Sequence, residues 1–334
     1  MRKLSLSKNH CKFMIVLLVI VFCISSCASL EKSRQRQQEK IRQQQSKRYL
    51  TLPRPDVRIA VSPDGLKIGS DHYTLTFHED LLKRRSLDES KERQEFGHGA
   101  LLYMESLYKY IHELFHIEPP TRRIGIILYE TFQGTTRRAI TESRHATVPQ
   151  GNALLRTVGN IVMHFPMAMF DQREVRAHEL THAFTANYYL PTWFTEGIAV
   201  FVQIQYARGG DFRALDLQEN MKVDLDDVNA IQTWKGHASV DAQWGYGYSF
   251  SIVKKLYDLY GEDFYPEVFR LMEADKYHQQ LPGEMKTSML VYYMSKAAGE
   301  DLVPFFENLK FNVRRLTRDD IESVIRKAAP TRQR

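Results

Sequence analysis

The sequence predicts an α+β fold: a small mixed sheet with a helix closing it, followed by a mainly helical second subdomain. Two observations predict it. Short β-branched runs bounded by turn residues are confined to the first half of the 334 residues. From residue 172 onward nearly every apolar pattern has the spacing of a helix. Strands first and helices second is an α+β order, with the junction at His178-Glu179-Leu180-Thr181-His182.

The elements follow in order. Tyr73-Thr74-Leu75-Thr76-Phe77 alternates and reads as a strand. Residues 98 to 117 read as a helix that buries Leu101, Met104, Tyr108, Ile111 and Phe115. That leaves Glu105, Lys109, His112 and His116 on a solvated stripe. After Pro119-Pro120, residues 123 to 129 read as a buried strand. Residues 159 to 165 form a further strand, directly before a helix at 172 to 188. Helices are then expected at 194 to 207, 249 to 260, 264 to 273, 285 to 298, 302 to 308 and 318 to 328. The foldable part divides into an α+β subdomain, 69 to 207, and a helical one, 208 to 330, with room for a cleft between them.

The N-terminus lies outside that fold. Arg2, Lys3, Lys8 and Lys12 precede a mostly apolar run from Phe13 to Ile24, too short to span a bilayer but fitting a secretory leader, residues 1 to 26. Ile24-Ser25-Ser26-Cys27 resembles a bacterial lipobox, which implies that Cys27 is lipidated and anchors the chain to a membrane facing the periplasm. Ala28 and Ser29 lack the aspartate that holds many such lipoproteins in the inner membrane, so the outer membrane is the expected address. Cys11 and Cys23 leave with the leader, which excludes internal disulfides and cysteine nucleophiles. Residues 27 to 68 read as a basic, Gln-rich tether. The leader's four cations and the net +5 of residues 28 to 50 exceed the whole chain's +6, so residues 51 to 334 carry −3. The basic charge belongs to the tether, and no nucleic-acid partner is expected.

The chemistry sits at the junction. Histidines four apart on a helix project from one face about 6 Å apart at Cβ, so His178 and His182 can reach one tetrahedral ion. Glu179 projects beside that ion, where a general base for a water nucleophile must sit. Pro191 breaks the helix, and the apolar run from Phe194 to Tyr206 then offers Glu196 as a third ligand. Three protein ligands leave a fourth position to water.

His112-Glu113-Leu114-Phe115-His116 repeats the pattern, and Glu130 lies at the matching downstream distance. Its histidines fall on the solvated stripe. Glu130 ends a buried strand that is not expected to fold back over the helix, so this copy reads as surface.

His178-Glu179-Leu180-Thr181-His182 followed by Leu190-Pro191-Thr192-Trp193-Phe194-Thr195-Glu196-Gly197-Ile198-Ala199 resembles the gluzincin metallopeptidases, in particular the peptidase MA-like group. The resemblance implies Zn2+ held by His178, His182 and Glu196, with Glu179 as base. It also implies an edge strand ahead of the zinc helix that binds extended substrate, here Gly159 to Phe165. The stretch Tyr246 to Gly261 is similar to a downstream helix whose early tyrosine stabilises the oxyanion, which points to Tyr246 first and Tyr248 second. His237 is a further catalytic candidate, whereas His164 reads as a strand residue. Two departures stand out. Val200 occupies the position of an aspartate that orients a zinc histidine in thermolysin-like enzymes, and the Gly-x-Met-x-Asn signature of the aminopeptidases is missing. The reading is a zinc metallopeptidase, an endopeptidase acting on protein or peptide substrates in the cell envelope. The alternative is a weak or inactive gluzincin-fold lipoprotein serving as a binding or assembly module.

Overall fold

The computed structural model describes residues 57–82, 87, 89–150, 153–207, 213–222, 230–238, 241–275 and 283–328. Six strands make one sheet: β1 (Ala60–Val61), β2 (Lys67–Gly69), β3 (Tyr73–Phe77), β4 (Ile124–Tyr129), β5 (Ile140–Gln150) and β6 (Ala153–Pro166), in the order β1-β2-β3-β4-β6-β5. β3, β4 and β6 run parallel, and antiparallel partners extend the sheet on both sides. The sheet is mixed and the fold α+β.

Alternation decides which face is covered. Tyr73, Leu75 and Phe77, then Ile124, Ile126 and Leu128, then Ile161, Met163 and Phe165 are all buried, while the residues between them are half-exposed. The buried face takes α2 (Ser90–Phe115) over β2 and β3, and α4 (Arg173–Thr185) over β5 and β6. The short helices α1 (Glu79–Leu82) and α3 (Met167–Phe170) fill the strand ends. Then come α5 (Thr192–Ala207), α6 (Ala242–Tyr260), α7 (Phe264–Ala274), α8 (Gly283–Ala298), α9 (Val303–Asn308) and α10 (Arg318–Ala328). Among the described residues no helix is long and apolar enough to cross a membrane.

Four expectations are corrected. Residues 159 to 165 are not an edge: β6 lies between β4 and β5, and the edge beside α4 is β5. That strand escaped notice because Ile140-Thr141-Glu142-Ser143-Arg144-His145 is mostly polar and Pro149 interrupts it, as suits a half-solvated edge with a faint apolar pattern. The sheet also begins earlier than residue 69, since β1 and most of β2 fall within the stretch read as tether. Glu105 is not on a solvated stripe. It is buried, and its carboxylate accepts from the His72 amide at 3.0 Å and lies 2.6 Å from His72 Nδ1. Finally, α6 starts at Ala242 and not at 249, because Gly245 and Gly247 hide the helical pattern. Gly245 is required there: a Cβ would lie 2.2 Å from the Trp234 ring. The leader, Cys27 and the tether through residue 56 lie outside the described residues.

Residues from Arg54 onward form one compact unit, and the boundary drawn at 207/208 separates layers that share a core. Trp193 and Phe194, at the start of α5, are fully buried. Trp193 packs on Phe306 and Phe311, and Phe194 on Tyr265 and Phe269. Each such side chain contributes about 1.5–3 kcal/mol on burial, so the start of α5 is held by the helical half while α4 is held by the sheet.

Candidate metal centre

Helix α4 forms from strong helix formers, with Glu174 placed favourably in the first turn. One face is apolar: Ala177, Leu180, Ala183 and Phe184 are buried, and Phe184 meets Tyr108 of α2 with ring centroids 4.9 Å apart. Arg176 locks the flank by stacking over Tyr103 and Phe170, at 4.1 Å and 4.8 Å. The helix gives way to Tyr189 in the left-handed region and to Pro191, and the chain turns directly into α5. That turn brings Glu196 over His178 and His182. Gly197 makes the approach possible. A Cβ there would lie 2.6 Å from the Ser249 carbonyl oxygen, so only glycine lets α5 seat against α6.

The three donors form a tight triangle. His178 Nε2 stands 3.1 Å from Glu196 Oε2 and 3.1 Å from His182 Nε2, and His182 Nε2 stands 3.4 Å from Glu196 Oε2. A tetrahedral ion with ligands at about 2.0–2.1 Å separates its donor atoms by roughly 3.3–3.4 Å, so the triangle has the right size. Electrostatics agree. Burial alone would push His182 down, yet the adjacent Glu196 carboxylate takes it up to about 9. Burial would raise Glu196, and the two histidines hold it far below the ordinary carboxylate range. The donor set calls for positive charge at its centre, which a divalent cation supplies. Among the described residues this is the one group of three His, Cys, Asp or Glu donors close enough to share an ion.

No family model matches the chain, and no curated protein matches it. Solved structures do. A conserved protein of unknown function from Bacillus anthracis str. Ames aligns with a TM-score of 0.44 at 15% identity, over 85% of this chain and 54% of its own. The ZmpB metallopeptidase from Clostridium perfringens aligns with a TM-score of 0.44 at 15% identity, over 89% of this chain and 55% of its own. The M60 catalytic domain of Clostridium perfringens ZmpC, in complex with the sialyl T antigen, gives 0.42 at 15% identity, over 88% and 54%. This chain spans about half the length of the structures it matches. The chemistry rests on its own residues.

Glu179 is 7% exposed, and its Oε2 lies 2.7 Å from Thr141 Oγ1 on the edge strand. The same hydroxyl lies 2.8 Å from the Glu179 carbonyl oxygen. Register explains the meeting: Thr141 pairs with Met163, so both point to the helix-covered face, while Ile140, His164 and Glu142 point the other way. Sequence spacing gave no signal for Thr141, because its role depends on a strand pairing.

The two tyrosines part. The Tyr246 ring is 6.0 Å from the His178 ring, edge to face, and is wedged by Trp234 at 5.0 Å. Burial raises its hydroxyl well above the usual phenol range, the carboxylates of Glu196 and Glu179 add to that, and Arg138 works against it. Tyr248 lies elsewhere: it donates to the Leu217 carbonyl at 2.9 Å and stacks on Trp244. His237 is exposed, and its Nε2 lies 2.7 Å from Arg138 Nη2. His164 is a strand residue, bonded to Tyr129 at 2.9 Å and stacked on Phe132. Val200 is buried in the core.

The first copy of the motif does not assemble. α2 ends at Phe115, and His116 follows in the left-handed region with φ 55°, off the face that carries His112. His112 Nδ1 bonds the Ile117 carbonyl at 3.0 Å, and Glu113 faces Lys109 at 3.7 Å on the exposed side.

Proposed function

We propose that this chain is a zinc metallopeptidase, an endopeptidase anchored by lipid at Cys27 and facing the periplasm from the outer membrane. The observation that carries the enzymatic reading is the triangle of His178, His182 and Glu196 with Glu179 beside it on the same helix. Two imidazoles and a carboxylate suit zinc, which when bound supplies Lewis acidity to a carbonyl and a water.

The chain's own residues do the rest. Glu179 Oε2 takes a proton from the attacking water and later delivers it to the leaving nitrogen. The Thr141 hydroxyl follows that proton: it donates to Oε2 while the carboxylate is charged, and turns to the Glu179 carbonyl oxygen when Oε2 is protonated. Tyr246 keeps its own proton, because burial and two carboxylates oppose ionisation, and donates to the oxyanion. Among the described residues nothing pairs with the outer side of β5, so an extended peptide can add there as a strand without presenting a free terminus. This supports endopeptidase action. The address rests on the leader and lipobox alone.

Val200, buried where thermolysin-like enzymes keep an aspartate, favours a second reading, a fold of this kind retained for binding or assembly. Zinc-dependent cleavage of casein by the purified protein, abolished by a chelator and restored by zinc, is the expected result. A folded, zinc-loaded protein that leaves casein and a broad peptide library intact sinks the enzymatic reading.

A further inference from the structure

We infer that Arg138 and His237 form a recognition site for a substrate carboxylate beside the His178–His182–Glu196 triangle; the inference rests on the peptidase reading above. Arg138 lies in the connection between β4 and β5, and His237 in a short 3-10 turn, Gly236–Ala238, ahead of α6. Ninety-nine positions apart, they meet at 2.7 Å. The guanidinium can only donate, so His237 Nε2 accepts and the imidazole is neutral with its proton on Nδ1.

The pair stands beside the metal ligands. A Cβ on Gly236 would lie 3.6 Å from Glu196 Oε1, and the Arg138 charge acts on the Tyr246 hydroxyl. Yet Arg138 lacks the partner its chemistry suits. Its acceptors are a neutral imidazole and, at 3.3 Å, the neutral amide of Gln133. Its Nε is sheltered from solvent without a hydrogen-bond partner, and among the described residues no carboxylate stands within ion-pair distance of it. A guanidinium fork matches a carboxylate with two parallel hydrogen bonds, a stronger arrangement than either neutral acceptor offers. An arriving carboxylate therefore displaces the His237 acceptor. The exposed imidazole is free to turn over and present its Nδ1 proton to the same anion. Arg137 and Lys235, both exposed, adjoin Arg138 and Gly236 in the chain and add to the positive charge of these two segments, which attracts anions before contact. Glu179 and Glu196 lie deeper, at the metal. The occupant we assign is an acidic side chain of the peptide, close to the scissile bond.

Cut sites made by the zinc-loaded full chain in a peptide library, read by mass spectrometry, are expected to carry Asp or Glu at one fixed position. A peptide with Glu there and an amidated C-terminus should exceed its Gln counterpart in kcat/KM by about tenfold or more, the discrimination one lost charge-assisted contact gives. Arg138→Gln should bring that ratio near one, whatever its effect on the absolute rates, while Arg138→Lys retains part of the preference. An unchanged ratio in Arg138→Gln, or no acidic preference in wild type, overturns the site. The wild-type ratio decides even if the variant fails to fold. A preference for a free over an amidated C-terminus, lost in Arg138→Gln, overturns the side-chain assignment in favour of the terminal carboxylate. If the wild type cleaves nothing, the peptidase reading fails separately, and calorimetric titration with N-acetylglutamate amide reads the site directly. Binding to wild type and its loss in Arg138→Gln sustain the proposal, and no binding removes it.

Discussion

Thr141 Oγ1 lies 2.7 Å from Glu179 Oε2 and thereby ties the edge strand of the sheet to α4, at the carboxylate proposed as the general base. The link matters because Glu179 is nearly buried, and a buried carboxylate without its donor is both costly and free to swing. The register of β5 thus sets where the Glu179 carboxylate is held.

Thr141→Val removes the donor at nearly constant volume. The expected result is a fall in kcat of roughly tenfold, about 1.4 kcal/mol of barrier, with little change in KM. Thr141→Ser keeps the hydroxyl and should recover most of the rate. Equal activity of the Val and Ser variants, measured on the same peptide, would show that the hydroxyl does not position Glu179.

The two tyrosines make a matched control, since both are on α6 and two residues apart. Tyr246→Phe should lower kcat by about a hundredfold, the scale of one lost oxyanion donor, and leave metal content unchanged. Tyr248→Phe loses a hydrogen bond to the Leu217 carbonyl and should cost about 1 kcal/mol of stability in denaturant unfolding, with kcat intact. If the two effects are exchanged, the oxyanion assignment is wrong.

A site is legible in a sequence only as far as its signals are local. His178, His182 and Glu179 lie within one helical turn and a half, and Glu196 follows across a single proline-marked break, so spacing alone brought them together. The helices of the second half were legible for the same reason, because a period near 3.6 shows in any stretch of eleven residues or more. Strand β5 was not, since an edge strand needs no apolar alternation. Thr141 depended on that strand's pairing with β6, and Arg138 meets His237 only after the sheet and the helical half have packed. Side chains that converge from distant segments leave no periodic trace. For the same reason spacing could not choose between Tyr246 and Tyr248, whose difference is set by the Trp234 wedge and by which side of α6 faces His178.

Gly197→Ala tests how Glu196 is held. The added Cβ would sit 2.6 Å from the Ser249 carbonyl oxygen and 2.8 Å from its carbon, backbone atoms that can move only if α5 and α6 separate. Overpacking of this kind costs typically 1–3 kcal/mol. The expected outcome is a lowered unfolding midpoint together with weaker zinc binding, since Glu196 rides on the displaced turn. Wild-type zinc affinity in a Gly197→Ala protein would show that the close approach of the two helices does not set the ligand's position.

The two copies of the histidine motif should behave oppositely. Glu179→Gln keeps the size of the side chain and a hydrogen-bonding group near Thr141 but cannot take a proton. It should preserve fold and bound zinc while lowering turnover by about a hundredfold or more, the scale of general-base loss. Glu113 faces Lys109 on an exposed helix surface, where substitutions usually change stability by less than about 0.5 kcal/mol, so Glu113→Gln should match wild type in both stability and rate. His182→Ala and His116→Ala extend the contrast to the metal. The first opens the donor triangle and should reduce zinc to well under one equivalent by atomic absorption. The second removes a ring that lies beyond the end of α2 and should leave the zinc content unchanged. Each variant is read only after circular dichroism shows it folded. Loss of zinc in His116→Ala beside full loading in His182→Ala would transfer the metal centre to the first copy and overturn the assignment of the site.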